Sequence, residues 1–447
     1  MARITAALLA GLLLSPLIHA SPTSGKPLLA SRQDENSEGL HSLMVAAGKL
    51  FFGTATDVRY LLDKAHQAIV NNPSEFGMIV PENSQKWGEL EKEKGRVDFT
   101  NADAIAAAAA KNGQKFRCHV LTWAAQLPSF VTSSTWTKEA LTAQLKAHIT
   151  TVVTHYRSQC YSWDVVSEAL SSSPDSNTLS NSSIFQKVIG PSYIPLSFYW
   201  ASLADPDAKL YYNDFNLEIS PLKAQGVVDI VHLVRNFISP TGEKGKARID
   251  GTGLQSHLFV GQVPSLTSLI SSLETFTNLT SLEVSFSELD ISHDSVPAND
   301  TQMEQQAQDY MTVVSACLAV EKCVGITVWG FSDKYSWIQD AFPGKGEGCL
   351  YDEKMKKKAA WYGVREVLKR AGVVMAERNS TGSPEERIRN AARNGRLMEE
   401  VNGTALMLAA EKENETKNGG SNSFRGGLGW RAWPVVTGWG IWVVLSL

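Results

Sequence analysis

The chain lacks any strong imbalance of charge. Its 42 lysines and arginines stand against 46 acids, a formal net charge of −4 over 447 residues. A nucleic-acid binder needs a clustered basic surface, and none is present. The one basic run, Lys354 to Lys358, is short and reads as the solvated start of a helix. A glycine-rich phosphate loop is also missing, which speaks against a nucleotide cofactor and against an open doubly wound sheet. The histidines lack the spacing and carboxylate company of a zinc set, so neither metal nor cofactor is expected. Cysteine is scarce and odd in number, with five residues. Cys317 and Cys323 lie close together where a helix end runs into a strand, and they form the natural pair; their short loop makes the entropic gain modest. The pairing of Cys118, Cys160 and Cys349 stays open, and at least one of them is a free thiol unless it pairs between chains. None sits beside an obvious activating base.

Long hydrophobic runs are absent except at the two ends, and both of those are too short to span a bilayer. Residues 1–20 carry Arg3, then AALLAGLLLSPLI and the cleavage-like Ile18-His19-Ala20, the arrangement of a secretory signal. A secreted protein with permitted disulfides is therefore expected. Asn181, Asn278, Asn299, Asn379, Asn402 and Asn414 each fit the N-x-S/T acceptor pattern, as expected of a glycoprotein of a eukaryotic secretory route. Residues 21–44 read as a linker. Residues 371–420 are charged, poor in large apolar side chains and expected to form a poorly structured, glycosylated tail. Residues 421–447 pair a polar spacer with VVTGWGIWVVLSL. Together with Asn418 and Gly419 as attachment candidates, they resemble a glycolipid (GPI) anchor signal.

What is there, between residues 45 and 370, is an alternation of strand-like and helix-like stretches. KLFFGTA, FGMIVPEN, KFRCHVLTW, SWDVVSEA, KLYYNDF, IDGTGLQSHL, LEVSFSELDI and CVGITVWG are the strand candidates. Helical stretches such as Lys138 to Tyr156 and Gln302 to Leu318 separate them. Evenly spaced units of this kind predict a closed (β/α)8 TIM barrel, whose active site forms at the C-terminal ends of the strands. Those ends carry Glu82 and Asn83, His119 and Trp123, Glu168, Asn213 and Asp214, Gln255 and His257, Glu288 and Asp290, and Trp329. The strand bodies are aliphatic and the ends polar or aromatic.

Two of these ends decide the chemistry. Glu168 closes the fourth strand and Glu288 the seventh, which places two carboxylates across one mouth. A carboxylate at the end of a buried strand is costly unless it is solvated, paired or working. Such a pair is the minimal equipment for glycoside hydrolysis.

In order along the chain, VPENSQKW, CHVLTWAAQLPSF, WDVVSEA, KLYYNDFNLE, GLQSHL, SELDI and CVGITVWGFSDKYSW resemble the motifs of glycoside hydrolase family 10, the retaining endo-β-1,4-xylanases of fungi. The resemblance implies that Glu168 is the general acid/base and Glu288 the nucleophile, about 5–5.5 Å apart as in other retaining enzymes. It implies a sugar subsite at Glu82, Asn83, Lys86 and Trp87, and substrate contacts from His119, Trp123, Ser167, Gln255, His257, Trp329 and Trp337. His257 and Gln255 are expected to help keep Glu288 ionised; Asp290, on the same strand face as Glu288, either orients His257 or is a structural partner. Xylan or a related plant polysaccharide is the implied partner, and the chain is expected to act as a monomer.

The pattern is broken in places. Ser167 stands where the family has Asn, the residue that bonds the 2-hydroxyl of the sugar being cleaved. Ala124 replaces a His, Phe130 a Trp and Cys118 a Gly. These changes leave room for two alternatives: a saponin-directed (α-tomatine) glycosidase of the same family, and a non-catalytic sugar-binding protein on the same scaffold.

Overall fold

The computed structural model describes residues 39–240, 242 and 247–379. Residues 1–20, the sites Asn402, Asn414, Asn418 and Gly419, and the side chain of Asn379 lie outside the described residues. Among those described, nine strands form in the order β1 (Phe51–Thr56), β2 (Met78–Pro81), β3 (Lys115–Thr122), β4 (Ser162–Ser167), β5 (Lys209–Asp214), β6 (Gly251–Leu254), β7 (His257–Phe259), β8 (Glu283–Ser292) and β9 (Cys323–Val328). Each named pair is parallel, from β6 through β5, β4, β3, β2 and β1 to β9 and β8. A β6–β8 pairing then closes the ring. This is an eight-stranded TIM barrel, and an open sheet is excluded.

Strands such as β1, β2 and β4 are buried at every position because helices cover one face and the barrel interior fills the other. Several of the covering helices begin on polar caps. Thr137 accepts from Ala140 N ahead of Lys138–His155, and Ser220 caps Pro221–Arg235 with proline in its first turn. Asn299 and Gln302 form a reciprocal capping box at the head of Asp300–Ala319. The final helix, Ala359–Asn379, packs on Asp300–Ala319 and on an added helix at Leu40–Ala46. The folded unit therefore extends on both sides of the expected 45–370.

The barrel interior is charged. Arg117 donates to Asp164 through Nε at 3.1 Å and an Nη at 2.6 Å, and to Ser285 Oγ at 3.2 Å, with its guanidinium over the Tyr211 ring. Gly253 makes space for this: a Cβ there would lie 2.4 Å from Asn213 Oδ1 and 2.9 Å from the Arg117 guanidinium.

Four expectations need correction. The sixth strand is broken at Gln255–Ser256, where Ser256 takes φ +60°, so its second half (β7) pairs only with β8. Glu288 does not end its strand, since β8 continues to Ser292 with a register shift between Phe286 and Leu289. The run Lys354–Lys358 precedes the helix, which starts at Ala359. Its last member is buried, with Lys358 Nζ on Asp333 at 2.9 Å and on Glu347 O at 2.6 Å. Trp87 is a core residue: it is 3% exposed, stacks on His148 and donates to Glu91.

Cys317–Cys323 is a disulfide, and Cys118 pairs with Cys160, leaving Cys349 as a buried thiol. Asn181, Asn278 and Asn299 are exposed.

Candidate active site

The backbone brings the two key carboxylates to one mouth by different means. Glu168 follows the last residue of β4 and takes φ +56°, a left-handed conformation rare for a residue with a side chain. Its N–H donates to Asn213 O at 2.9 Å. Its Oε1 accepts from Gln255 Nε2 at 3.0 Å, and the Trp123 indole is a second donor. Burial, partly offset by these donors and reinforced by Asp214 and Glu288, pushes the Glu168 carboxyl above its usual range. It is thus held as an acid where a free glutamate would be ionised.

Glu288 sits within β8 and is 5% exposed. Asn213 Nδ2 donates to its Oε1 at 2.6 Å, and His257 Nε2 lies 3.3 Å from its Oε2. Burial alone would raise this carboxyl. The His257 hydrogen bond and the imidazoles of His119 and His257 overcome that and hold it below its ordinary value. Against the cost of its own burial, Asp290 and then Glu288 raise the His257 imidazole to about 10, so it is a cationic donor. Asp290 accepts from His257 Nδ1 at 2.8 Å and from Trp337 Nε1 at 2.9 Å. Two carboxylates on one site thus have opposite environments, one favouring the protonated form and one the ionised form.

The remaining expected residues fall into two groups. Around the mouth beside β2, Lys86 Nζ donates to Asn83 Oδ1 at 2.9 Å and stands over the Trp123 ring. Glu82 is 6% exposed, its carboxyl raised by burial despite Lys86. Asp57 ties this loop down by accepting from Asn83 N at 3.0 Å and from the Ser84 hydroxyl. Just after β9, Trp329 meets His119 edge to face, and Trp337 meets His257 the same way. His119 Nδ1 is 3.0 Å from Asp164 Oδ2, and its backbone N–H donates to Gln85 Oε1 at 3.0 Å.

Two residues do something other than expected. Gln255 serves Glu168, not Glu288, because the break before β7 turns it toward β4. Ser167 is 3% exposed, and its covered Oγ has no partner, so the serine does not take over the role of an amide. Asn213 was the residue missed. Its place at a polar strand end was legible, but its contact with Glu288, 75 positions away, was not. Among the described residues no group of His, Cys, Asp and Glu could hold a metal ion.

Comparison with known proteins agrees with this geometry. The model of the family described as "Glycosyl hydrolase family 10" matches residues 39–367. The chain is 47% identical over 332 residues to endo-1,4-beta-xylanase 5 of Pyricularia oryzae, covering 74% of this chain and 79% of that protein. It is 43% identical to endo-1,4-beta-xylanase 1 of Humicola insolens, covering 74% and 75%. Among solved structures it resembles the Penicillium canescens endo-1,4-beta-xylanase XylE, with TM-score 0.69 and 37% identity over 74% of this chain and 98% of that one. It also resembles xylanase 10B of Thermotoga petrophila in complex with xylobiose, with TM-score 0.69 and 31% identity over 76% and 100%.

Proposed function

This chain belongs to glycosyl hydrolase family 10, and we propose that it is a retaining endo-β-1,4-xylanase that cuts internal bonds of plant cell-wall xylan. The observation that carries this reading is the pair of unlike carboxylates at one mouth: Glu168 bonded by Gln255 and pushed upward by burial, Glu288 bonded by Asn213 and His257 and held low by the imidazole. In the first step Glu288 attacks the anomeric carbon while Glu168 gives its proton to the departing glycosidic oxygen, leaving a sugar ester on Glu288. In the second, Glu168, now a carboxylate, takes a proton from water as that water attacks the same carbon and releases Glu288. Two inversions retain the configuration. Asn213 and His257 aim and stabilise Glu288, and Gln255 and Trp123 fix Glu168.

The test is release of reducing ends from arabinoxylan by the purified protein, with Glu288→Ala as control. Release by the wild type alone supports the reading; no release by either protein sinks it.

Export is part of the proposal. It is supported by the leader-like residues 1–20, by exposed sequons at Asn181, Asn278 and Asn299, and by two disulfides, which belong to oxidising compartments. A lipid tether through Asn418 or Gly419 rests on the sequence of the last thirty residues alone. Action as a monomer is likewise part of the proposal.

A further inference from the structure

A buried polar chain lies behind the acid/base. Lys223, in the first turn of Pro221–Arg235, is fully buried, as is Asp214 at the end of β5, and the two are 2.7 Å apart. Lys223 Nζ also donates to Phe215 O at 2.8 Å. Asp214 accepts from Phe215 N at 2.9 Å through Oδ1 and from the Tyr212 hydroxyl through Oδ2. That hydroxyl in turn accepts from Ala169 N at 3.2 Å. Ala169 follows Glu168, whose own N–H is held by Asn213 O. The peptides on both sides of Glu168 are therefore pinned from β5.

Two features make this more than packing. A glutamate at φ +56° persists only where its surroundings over-determine it. A buried ion pair is a poor source of net stability, since desolvation offsets most of the attraction. Besides the Phe215 backbone, the pair holds the Tyr212 hydroxyl, and that hydroxyl touches the peptide after the acid/base.

We propose that Lys223, Asp214 and Tyr212 are positioning residues for Glu168: Lys223 fixes Asp214, Asp214 orients the Tyr212 hydroxyl, and the hydroxyl holds the left-handed turn that aims the carboxyl at the leaving oxygen. The inference rests on the reading of Glu168 as acid/base. It makes the bracket matter for proton donation and not for attack by Glu288.

That difference can be read directly. Wild type and Tyr212→Phe are compared by kcat/KM on xylotetraose, whose leaving group needs a proton, and on a dinitrophenyl β-xylobioside, whose leaving group does not. The expected result is a loss of about tenfold or more on xylotetraose, with less than about twofold on the aryl substrate. Equal losses on both, or none on either, would overturn the proposal.

Asp214→Asn provides a second, nearly isosteric variant. Asp214 faces Tyr212 on its own strand, Lys223 on the following helix, Tyr193 on the preceding one, Glu218 in the intervening loop and Glu168. Glu168 also faces Trp123, Gln255, Glu288 and Lys86. Removing the Asp214 charge should move the basic limb of kcat/KM to lower pH, because a negative neighbour favours the protonated acid. An unmoved limb counts against the bracket. Inactivity of the wild type on the aryl substrate would instead overturn the reading of the site, and this inference with it.

Discussion

Asn213 donates from Nδ2 to Oε1 of Glu288 across 2.6 Å, while its own Oδ1 accepts from Ser287 Oγ at 2.6 Å. The amide is thereby locked in one orientation, donor toward the nucleophile. With His257 on the other oxygen, both lone-pair systems of Glu288 are engaged. Hydrogen bonds to a charged group contribute about 1.5–3 kcal/mol. Asn213→Ala should therefore lower kcat/KM on an activated aryl xylobioside by roughly one to two orders of magnitude. A loss smaller than about threefold would show that the contact does not aim the nucleophile.

The pH profile should be bell-shaped, and His257 should set its acidic side. Activity needs Glu288 ionised and Glu168 protonated. Glu288 is held below the usual carboxylate range and Glu168 above it, so the active window lies between the two and is wider than two ordinary carboxyls would give. Removing the imidazolium in His257→Ala leaves burial to dominate Glu288 and raises its pKa. The acidic limb of kcat/KM should move to higher pH, and titration of the variant across the acid range checks it.

The two carboxylates should separate by substrate. Glu288→Ala removes the nucleophile and should abolish turnover of xylan and aryl glycosides alike. Glu168→Ala removes only the proton donor for the first step, so kcat/KM for a dinitrophenyl glycoside should fall by less than about tenfold while that for xylan falls about 10²–10⁴-fold. Azide, which needs no general base, should restore turnover of the aryl substrate. Failure of azide to do so would reverse the assignment of roles.

Ser167 should prove silent. Its hydroxyl is covered and touches no partner, so Ser167→Ala should leave kcat/KM on xylan within about twofold. Ser167→Asn supplies an amide at the strand end beside Asn213 and should raise kcat/KM about tenfold if it gains one hydrogen bond to the sugar. Steady-state kinetics of the two variants gives the answer.

The two disulfides should differ in their contribution to stability. Cys118–Cys160 spans 42 positions and Cys317–Cys323 only 6. Loop entropy assigns about 4 kcal/mol to the longer and about 2 kcal/mol to the shorter. Denaturant unfolding of the paired Cys→Ala variants should rank them in that order. The longer bridge also adjoins His119, so its loss should lower activity under conditions where the protein is still folded.

Much of the molecule was legible because its signals are local. An apolar β-branched run followed by a polar end marks a barrel strand and its catalytic face whatever the rest of the chain does. Glu168, Glu288, His257 and Asp290 could be picked out on that ground, Asp290 and Glu288 sharing a face of β8 through the two-residue period of a strand. Cys317 and Cys323 were close enough in sequence to be paired. The basic run Lys354–Lys358 misled because its polarity says nothing of the buried Asp333 that takes up its last lysine.

Closure of the barrel decided the rest. Which side chains share a layer of its interior depends on the register between strands, and a slip of one residue sends each side chain to the other face. That register set Asn213 against Glu288, Gln255 against Glu168 and the Tyr212 hydroxyl against Ala169 N, pairs that lie 43 to 87 positions apart in the chain. The sequence by itself determined which residues could do the chemistry. Only the tertiary structure decided which carboxylate is buried beside other carboxylates and which beside an imidazolium, because electrostatic environments are made by neighbours in space.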